Sequence, residues 1–322
     1  MKNPIILLFP LFLPLFLLPL KLRADESSWK VGLIGEYGFG ESSYELRVDD
    51  GTESVRSLLV FPLDTLYLGL EAEHENTSGS RRYAVKLLTN VAAPGGRMTD
   101  EDWLDLLDPA EPEFIFTESN LDYRSLDLAL EGIWEIGDYR FFRLFFGAGY
   151  RFLWIHQLIT DYQGFRLHDD DENGSIDRKE IIPYTDKDAI DYSIIYHIID
   201  TGLHGETDLG RHSRVGISAA PSLGMAFDRD DHLLRSKLST GRGFGYGFVL
   251  RGNIEFRRPG TGRTVTPYLR IYGSYRWFFS PGVQRQYWYD DADKPEGTEY
   301  DGLVHDMELI DPRMGISAGL RF

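Results

Sequence analysis

The 322-residue chain has no cysteine. That excludes a disulfide framework, a thiolate metal site and lipid attachment through a thiol, so the fold must hold without covalent staples. Positive charge is also scarce: 34 Lys+Arg against 51 Asp+Glu leave a net charge of −17. Such a balance repels phosphate backbones and argues against nucleic acid as a partner. Long hydrophobic runs are missing beyond the first 24 residues. A spanning helix needs roughly 18–20 consecutive apolar residues, and the mean hydropathy is −0.29, so a multi-span helical membrane protein is excluded. What the chain does have is 20 Phe, 18 Tyr, 33 Gly and 42% hydrophobic residues. That is too apolar for disorder and favours strands and tight turns.

The opening segment reads as a secretory signal. Lys2 gives a positive start, Ile5–Leu20 is apolar, and Ala24 precedes Asp25-Glu26. Pro10, Pro14 and Pro19 would interrupt a spanning helix, which weighs against the alternative of a retained anchor. The expected organisation is a signal peptide over 1–24 and one exported domain over 25–322. Lys2, Lys21 and Arg23 are unopposed by any acid in the leader, so the exported part is more acidic still.

The dominant period is two. Phe244, Tyr246, Phe248, Leu250, Ile254 and Phe256 alternate with Gly245, Gly247, Val249, Arg251, Asn253 and Glu255. Met314, Ile316, Ala318, Leu320 and Phe322 alternate with Gly315, Ser317, Gly319 and Arg321. Leu269–Phe279 and Ile190–Ile198 behave alike. These are strands with one apolar and one mixed face. Soluble sandwiches also alternate, but these strands are long, carry aromatics near their ends, and are joined by links that are short and long in turn. That pattern predicts an all-β, ten-stranded antiparallel transmembrane β-barrel with long extracellular loops. Strands are expected near 30–47, 54–74, 81–93, 121–136, 139–157, 189–205, 213–229, 243–257, 265–280 and 313–322. Short turns are expected at 76–80, 137–138, 207–212 and 259–263, and long loops at 94–120, 158–188, 230–242 and 281–312. Ten strands leave an interior filled by side chains, which disfavours a passive pore.

Two acidic segments carry candidate chemistry. In 95–105, Asp100 and Asp102 are two residues apart, so extended backbone aims both carboxylates to one side. In the seventh strand, Val215, Ile217, Leu223, Met225 and Phe227 form the lipid-facing row; continuing the opposite row gives Asp228, Asp230 and His232, all inward. A histidine beside a carboxylate is a potential general base. Strand parity puts both segments at the same end of the barrel, where close carboxylates raise one another's pKa and titrate together. The bland reading of each segment is a solvated acidic loop.

Gly95-Gly96-x-Met98-x-Asp100-x-Asp102-Trp103-x-Asp105, with Asp228-x-Asp230-Asp231-His232 and the following Arg235-Ser236-Lys237, resembles the omptins, outer-membrane endopeptidases built on ten-stranded barrels. Gly149-Tyr150 and Ala189-Ile190-x-Tyr192 match as well. The resemblance implies an aspartic-type endopeptidase without a catalytic cofactor, with water activated by an Asp230–His232 dyad opposite an Asp100/Asp102 pair. It also implies Asp228 as the acid that receives a basic side chain, and hence cationic peptide or protein substrates. It further implies a monomer among outer-membrane lipids with its site on the extracellular side. Three departures stand out. The family's second specificity acid falls on Tyr44, with Glu45 one place off and facing the other way. The outward lipopolysaccharide-binding motif reads Tyr150-x-Phe152-x-Trp154, an ordinary aromatic girdle. A Leu-Asp-Trp-Lys stretch is replaced by Leu58-Leu59-Val60-Phe61. Tyr44 and the altered 58–61 stretch leave a non-catalytic adhesin or host-protein-binding barrel as the competing reading.

A further motif runs through Asp169-Asp170-Asp171-Glu172-Asn173-Gly174-Ser175-Ile176-Asp177-Arg178-Lys179-Glu180. It matches the twelve-position calcium loop, with oxygen donors from Asp169, Asp171, Asn173, Ser175, Asp177 and Glu180 and Gly174 at the sharp turn. A structural Ca²⁺ is the corresponding expectation, against a chance match in an acidic external loop.

Overall fold

A computed structural model describes residues 27–49, 54–76, 78–93, 96–104, 113–168, 176–257, 265–291 and 294–322. The expected signal segment and the expected turn at 259–263 lie outside these residues. The described strands are β1 (Ser28–Gly38), β2 (Glu41–Asp49), β3 (Ser54–Pro62), β4 (Thr65–Glu75), β5 (Arg81–Ala92), β6 (Met98–Leu104), β7 (Glu113–Asp138), β8 (Arg143–His168), β9 (Arg178–Leu209), β10 (Ser213–His232), β11 (Lys237–Arg257), β12 (Thr266–Trp288) and β13 (Glu299–Arg321). All pairings are antiparallel, and β1 closes the ring by pairing with β13 from Lys30↔Arg321 to Gly38↔Arg313. Segments β1 and β2 run on from one another, as do β3 and β4, and β5 and β6, because each pair shares the same neighbouring strands on either side. The barrel therefore has ten staves, and closure removes the free edges that an open sheet would expose.

The apolar alternation marks the lipid-facing band. Phe244, Tyr246, Phe248, Leu250 and Phe256 point outward and are exposed, as are Ile217, Leu223 and Met225 on the neighbouring stave. At about 3.3 Å per residue and a tilt of about 40°, Phe244 to Phe256 covers roughly 30 Å along the membrane normal, the thickness of a hydrocarbon core. The staves then continue beyond this band, where their outward residues become charged: Arg229 follows Phe227, Arg242 precedes Phe244, and Arg47, Glu101 and Arg285 stand at similar heights.

That continuation corrects the expected loops. Most of 94–120, 158–188, 230–242 and 281–312 is strand: β7 begins at Glu113, β8 runs to His168, β9 begins at Arg178, and β12 and β13 pair from Tyr287↔Glu299 down. Above the membrane both faces of a stave meet polar surroundings, so the apolar–polar contrast that reveals a strand fades although the ladder persists. The turn expected at 137–138 begins two residues later, across 139–142, where Tyr139 N–H bonds Phe142 C=O at 2.9 Å.

The interior is filled in layers. At the end bearing the short turns, Lys30 Nζ lies 2.9 Å from both Glu73 and Glu255, and Arg270 reaches the same two acids at 2.7 and 2.8 Å. Higher up, Arg313 spans Asp127, Asp311 and Glu36, Arg151 bridges Asp127 and Asp311, and Arg276 holds Asp200 at 2.7 Å. These charges are nearly inaccessible to water and each meets opposite partners, the condition under which buried charge is tolerated. A layer of Phe61, Leu153, Ile155, Tyr192, Ile194, Tyr196 and Phe278 lies over them. The candidate site rests on that layer.

Candidate active site

Register brings the site residues onto one level. β6 pairs with β3 and β3 with β2, so Asp100, Leu59 and Tyr44 form one inward row, with Asp102, Ser57 and Leu46 in the next. On the far wall Asp230 is flanked by Tyr192 and Ser239, and His232 by Ile190 and Lys237. The stave carrying Asp230 ends at His232, turns through a short 3₁₀ segment at Leu233–Arg235, and returns at Lys237. Ser236 takes a left-handed conformation (φ 48°) to close that turn. Asp100, Asp102, Asp230 and His232 all line one cavity of about 750 Å³.

His232 Nε2 lies 3.0 Å from Asp230 Oδ2, and the Tyr44 hydroxyl, reaching across the barrel, donates to the same oxygen. With Asp230 ionised, this arrangement places the proton of neutral His232 on Nε2 and leaves Nδ1 with its lone pair. The other oxygen of Asp230 and Oδ1 of Asp100 are buried and have no protein hydrogen-bond partner among the described residues.

The site stands above the lipid-facing band, and its titration follows from burial and neighbours. Burial, reinforced by Asp102 and Asp230, holds the Asp100 carboxyl well above the usual carboxylate range. Burial pushes Asp230 the same way, but His232, Lys237 and the Tyr44 hydrogen bond outweigh it, and its pKa is lowered. Burial lowers His232 below its ordinary value; Asp230 opposes the shift and Lys237 adds to it. The arrangement therefore favours a neutral imidazole and an ionised Asp230, and it shifts Asp100 towards its protonated form.

Asp228 sits one step deeper. It is 6% exposed and is not among the residues lining the cavity. Its Oδ2 takes a hydrogen bond from His305 Nε2 at 2.9 Å, and His305 is fully buried. Gln284 Nε2 approaches His305 Nδ1 at 3.4 Å, and Gln286 Nε2 donates to Gln284 at 2.8 Å, so a polar chain leads from the cavity wall to Asp228. Gly241 makes room for this pair, since a Cβ there would collide with Asp228 Oδ1 and His305 Cδ2. One oxygen of the carboxylate expected to receive a basic side chain is thus occupied from within the protein, while its Oδ1 is buried without a hydrogen-bond partner among the described residues. Tyr44, at the position of the family's second specificity acid, packs against Phe61, Tyr192 and His305 with ring centroids 6.1, 5.6 and 4.9 Å away. Phe61 and Tyr192 stack at 4.4 Å with planes 3° apart. Glu45 points outward and pairs with Arg56 at 3.0 Å.

Three contributors escaped the sequence reading. His305 lies on a stretch expected to be loop; its inward parity with Met307 and Leu309 was the available signal. Gln284 was hidden for the same reason. Lys237 was noticed only as part of Arg-Ser-Lys, whereas it is 7% exposed and close enough to Asp230, Asp100 and Asp102 for each to act on its charge. The calcium motif falls largely outside the described residues, which exclude Asp169, Asp171, Asn173 and Ser175. Of its remainder, Asp177 N–H bonds His168 C=O at 2.9 Å and the Glu180 carboxylate meets His168 Nε2 at 2.9 Å. Among the described residues no cluster of three or more His, Asp or Glu side chains is arranged to hold a metal.

No protein-family model matches the chain, and no curated protein matches it in sequence. Among solved structures, it is similar to the outer membrane protease OmpT of Escherichia coli at 14% identity and a TM-score of 0.65, covering 94% of this chain and 98% of that one. The translocator domain of the autotransporter NalP from Neisseria meningitidis aligns over 89% of this chain at 9% identity, but its TM-score of 0.28 reflects little beyond strand content. The fold is therefore that of an omptin-like outer-membrane β-barrel.

Proposed function

We propose that the chain is an outer-membrane endopeptidase in which His232 and Asp230 activate a water held opposite Asp100 and Asp102, acting as a monomer with the site open to the extracellular side. The observation that carries this reading is the single cavity lined by both acid-bearing walls, with the His232–Asp230 hydrogen bond at 3.0 Å. In this mechanism His232 Nδ1 takes a proton from water as the water oxygen attacks the peptide carbonyl. Asp230 and Tyr44 fix the ring and its tautomer, and Asp230 offsets the imidazolium charge as it forms. Asp100, retaining its proton, donates to the developing oxyanion while Asp102 helps hold the water. His232 then returns the proton to the departing amine as the C–N bond breaks.

The test is proteolysis by protein refolded in detergent with outer-membrane lipid, on a pool of quenched fluorescent peptides. His232→Ala is expected to lower the rate by about 10³-fold or more, and Asp102→Ala to lower it substantially. Wild-type turnover no higher than that of His232→Ala refutes the reading. Ligand capture without cleavage, indifferent to Asp102→Ala, identifies a binding barrel instead.

A further inference from the structure

We infer that the cavity selects an uncharged, apolar side chain beside the cleaved bond, and peptides that are neutral or acidic overall, not Lys or Arg. This rests on the proteolytic reading and concerns what enters the same site.

The floor is closed to a cationic side chain. Tyr44 is 3% exposed, and Phe61, Tyr192 and His305 beneath it are completely buried. Asp228 lies within that floor with its Oδ2 on His305. Among the described residues, no carboxylate below the dyad is open to a guanidinium or ammonium group descending from the cavity.

The acids that do line the cavity are already engaged. Asp230 holds His232 and Tyr44, and burial favours the uncharged form of Asp100. Among the described residues, Asp102 is the lining carboxylate left to neutralise an incoming cation. Against these three carboxylates the wall carries four cations: Arg166, Arg235, Lys237 and Lys294. A desolvated cation placed among them lacks the paired charge that burial requires.

Beside the polar Ser57, Thr117, Ser239 and Gln286, the remaining wall has a continuous aliphatic part. Leu46, Leu59, Met98, Ile115, Ile159 and Ile190 line it, and Leu59, Met98 and Ile159 are at most 2% exposed. A Leu, Ile or Phe side chain buries apolar area there and disturbs no polar partner. Arg166 and Lys294 stand on the wall where they meet acidic residues elsewhere on the same peptide.

The test maps cleavage sites by mass spectrometry in a peptide pool where every residue type is equally represented next to every other. Bonds flanked by Leu, Ile or Phe are expected to be cut at least ~10-fold more often than bonds flanked by Lys or Arg, a discrimination within reach of one buried side chain. Enrichment of Lys or Arg at either flank overturns the inference. A parallel arm measures binding of two fluorescent peptides to wild type and to His232→Ala: one Leu-rich and acidic, one Arg-rich. Tighter binding of the acidic, apolar peptide upholds the inference even if cleavage is absent, so failure of catalysis is distinguishable from failure of selectivity. Equal or tighter binding of the Arg-rich peptide overturns it, as does no binding of either. Lys294→Gln removes one wall cation and is expected to narrow the ratio between the two peptides by about threefold, with a larger effect at low salt. An unchanged ratio counts against the charge argument.

Discussion

His232 works as a base only when neutral, so cleavage should rise with pH through its folded pKa, which burial and Lys237 place below the ordinary 6.5. Two substitutions should move that acid limb in opposite directions. Asp230→Asn removes the carboxylate that raises the imidazole pKa, so the limb shifts to lower pH while kcat falls by about 10²-fold or more. Lys237→Gln removes a cation that lowers it, so the limb shifts to higher pH. A pH–rate profile of each variant against wild type checks both signs, and movement in a common direction would contradict the local charge balance described. At this scale much was legible. Strict alternation along Val215–Phe227 fixes Asp228, Asp230 and His232 to one face, and no bulge interrupts β10 before His232. The partners were not legible. Tyr44 meets Asp230 across 186 positions of sequence and His305 meets Asp228 across 77, and nothing local encodes either meeting.

The ladder persists along each stave, with register shifts in some such as 159–164 and 284–286, but only the membrane portion announces itself by apolar contrast. Hence apolar contrast marks the staves over 213–229 and 243–257 and fades along their extensions to His232 and Lys237. The interior charge layers depend on those long staves for their geometry. Arg313 is 4% exposed by side chain and binds Asp311 at 2.8 Å, Asp127 at 2.7 Å and Glu36 at 3.1 Å. Arg313→Met leaves three buried carboxylates short of a partner and should cost about 3–5 kcal/mol. The measurement is thermal or denaturant unfolding of the refolded barrel, with an exposed Arg124→Met control expected to change little. The segment between β8 and β9 carries the calcium motif, for which we propose a structural role. Titration calorimetry with Ca²⁺ should give a saturable heat that is lost in Glu180→Ala, because the twelfth-position carboxylate supplies two of the oxygens.

For the whole molecule, the net charge of −17 and the charges of the cavity point in different directions. The acidic balance reaches a substrate only from a distance and is screened beyond about 8 Å at physiological salt. Within the cavity the four cations and the engaged carboxylates act at contact distance, and there they decide. Sequence alone determined the class of the molecule: the long period-two rows imply a transmembrane β-barrel, since alternation is a local property of each strand. It also determined which face the acids occupy, for the same reason. Closure of the ring decided the rest. Only when β1 and β2 pair with β13 do Tyr44, the Asp100 wall and the Asp230 wall share one cavity, and the register of β10 through β13 is what brings His305 onto Asp228. Contacts made across a barrel depend on register and stave length together, and neither is written in any one strand.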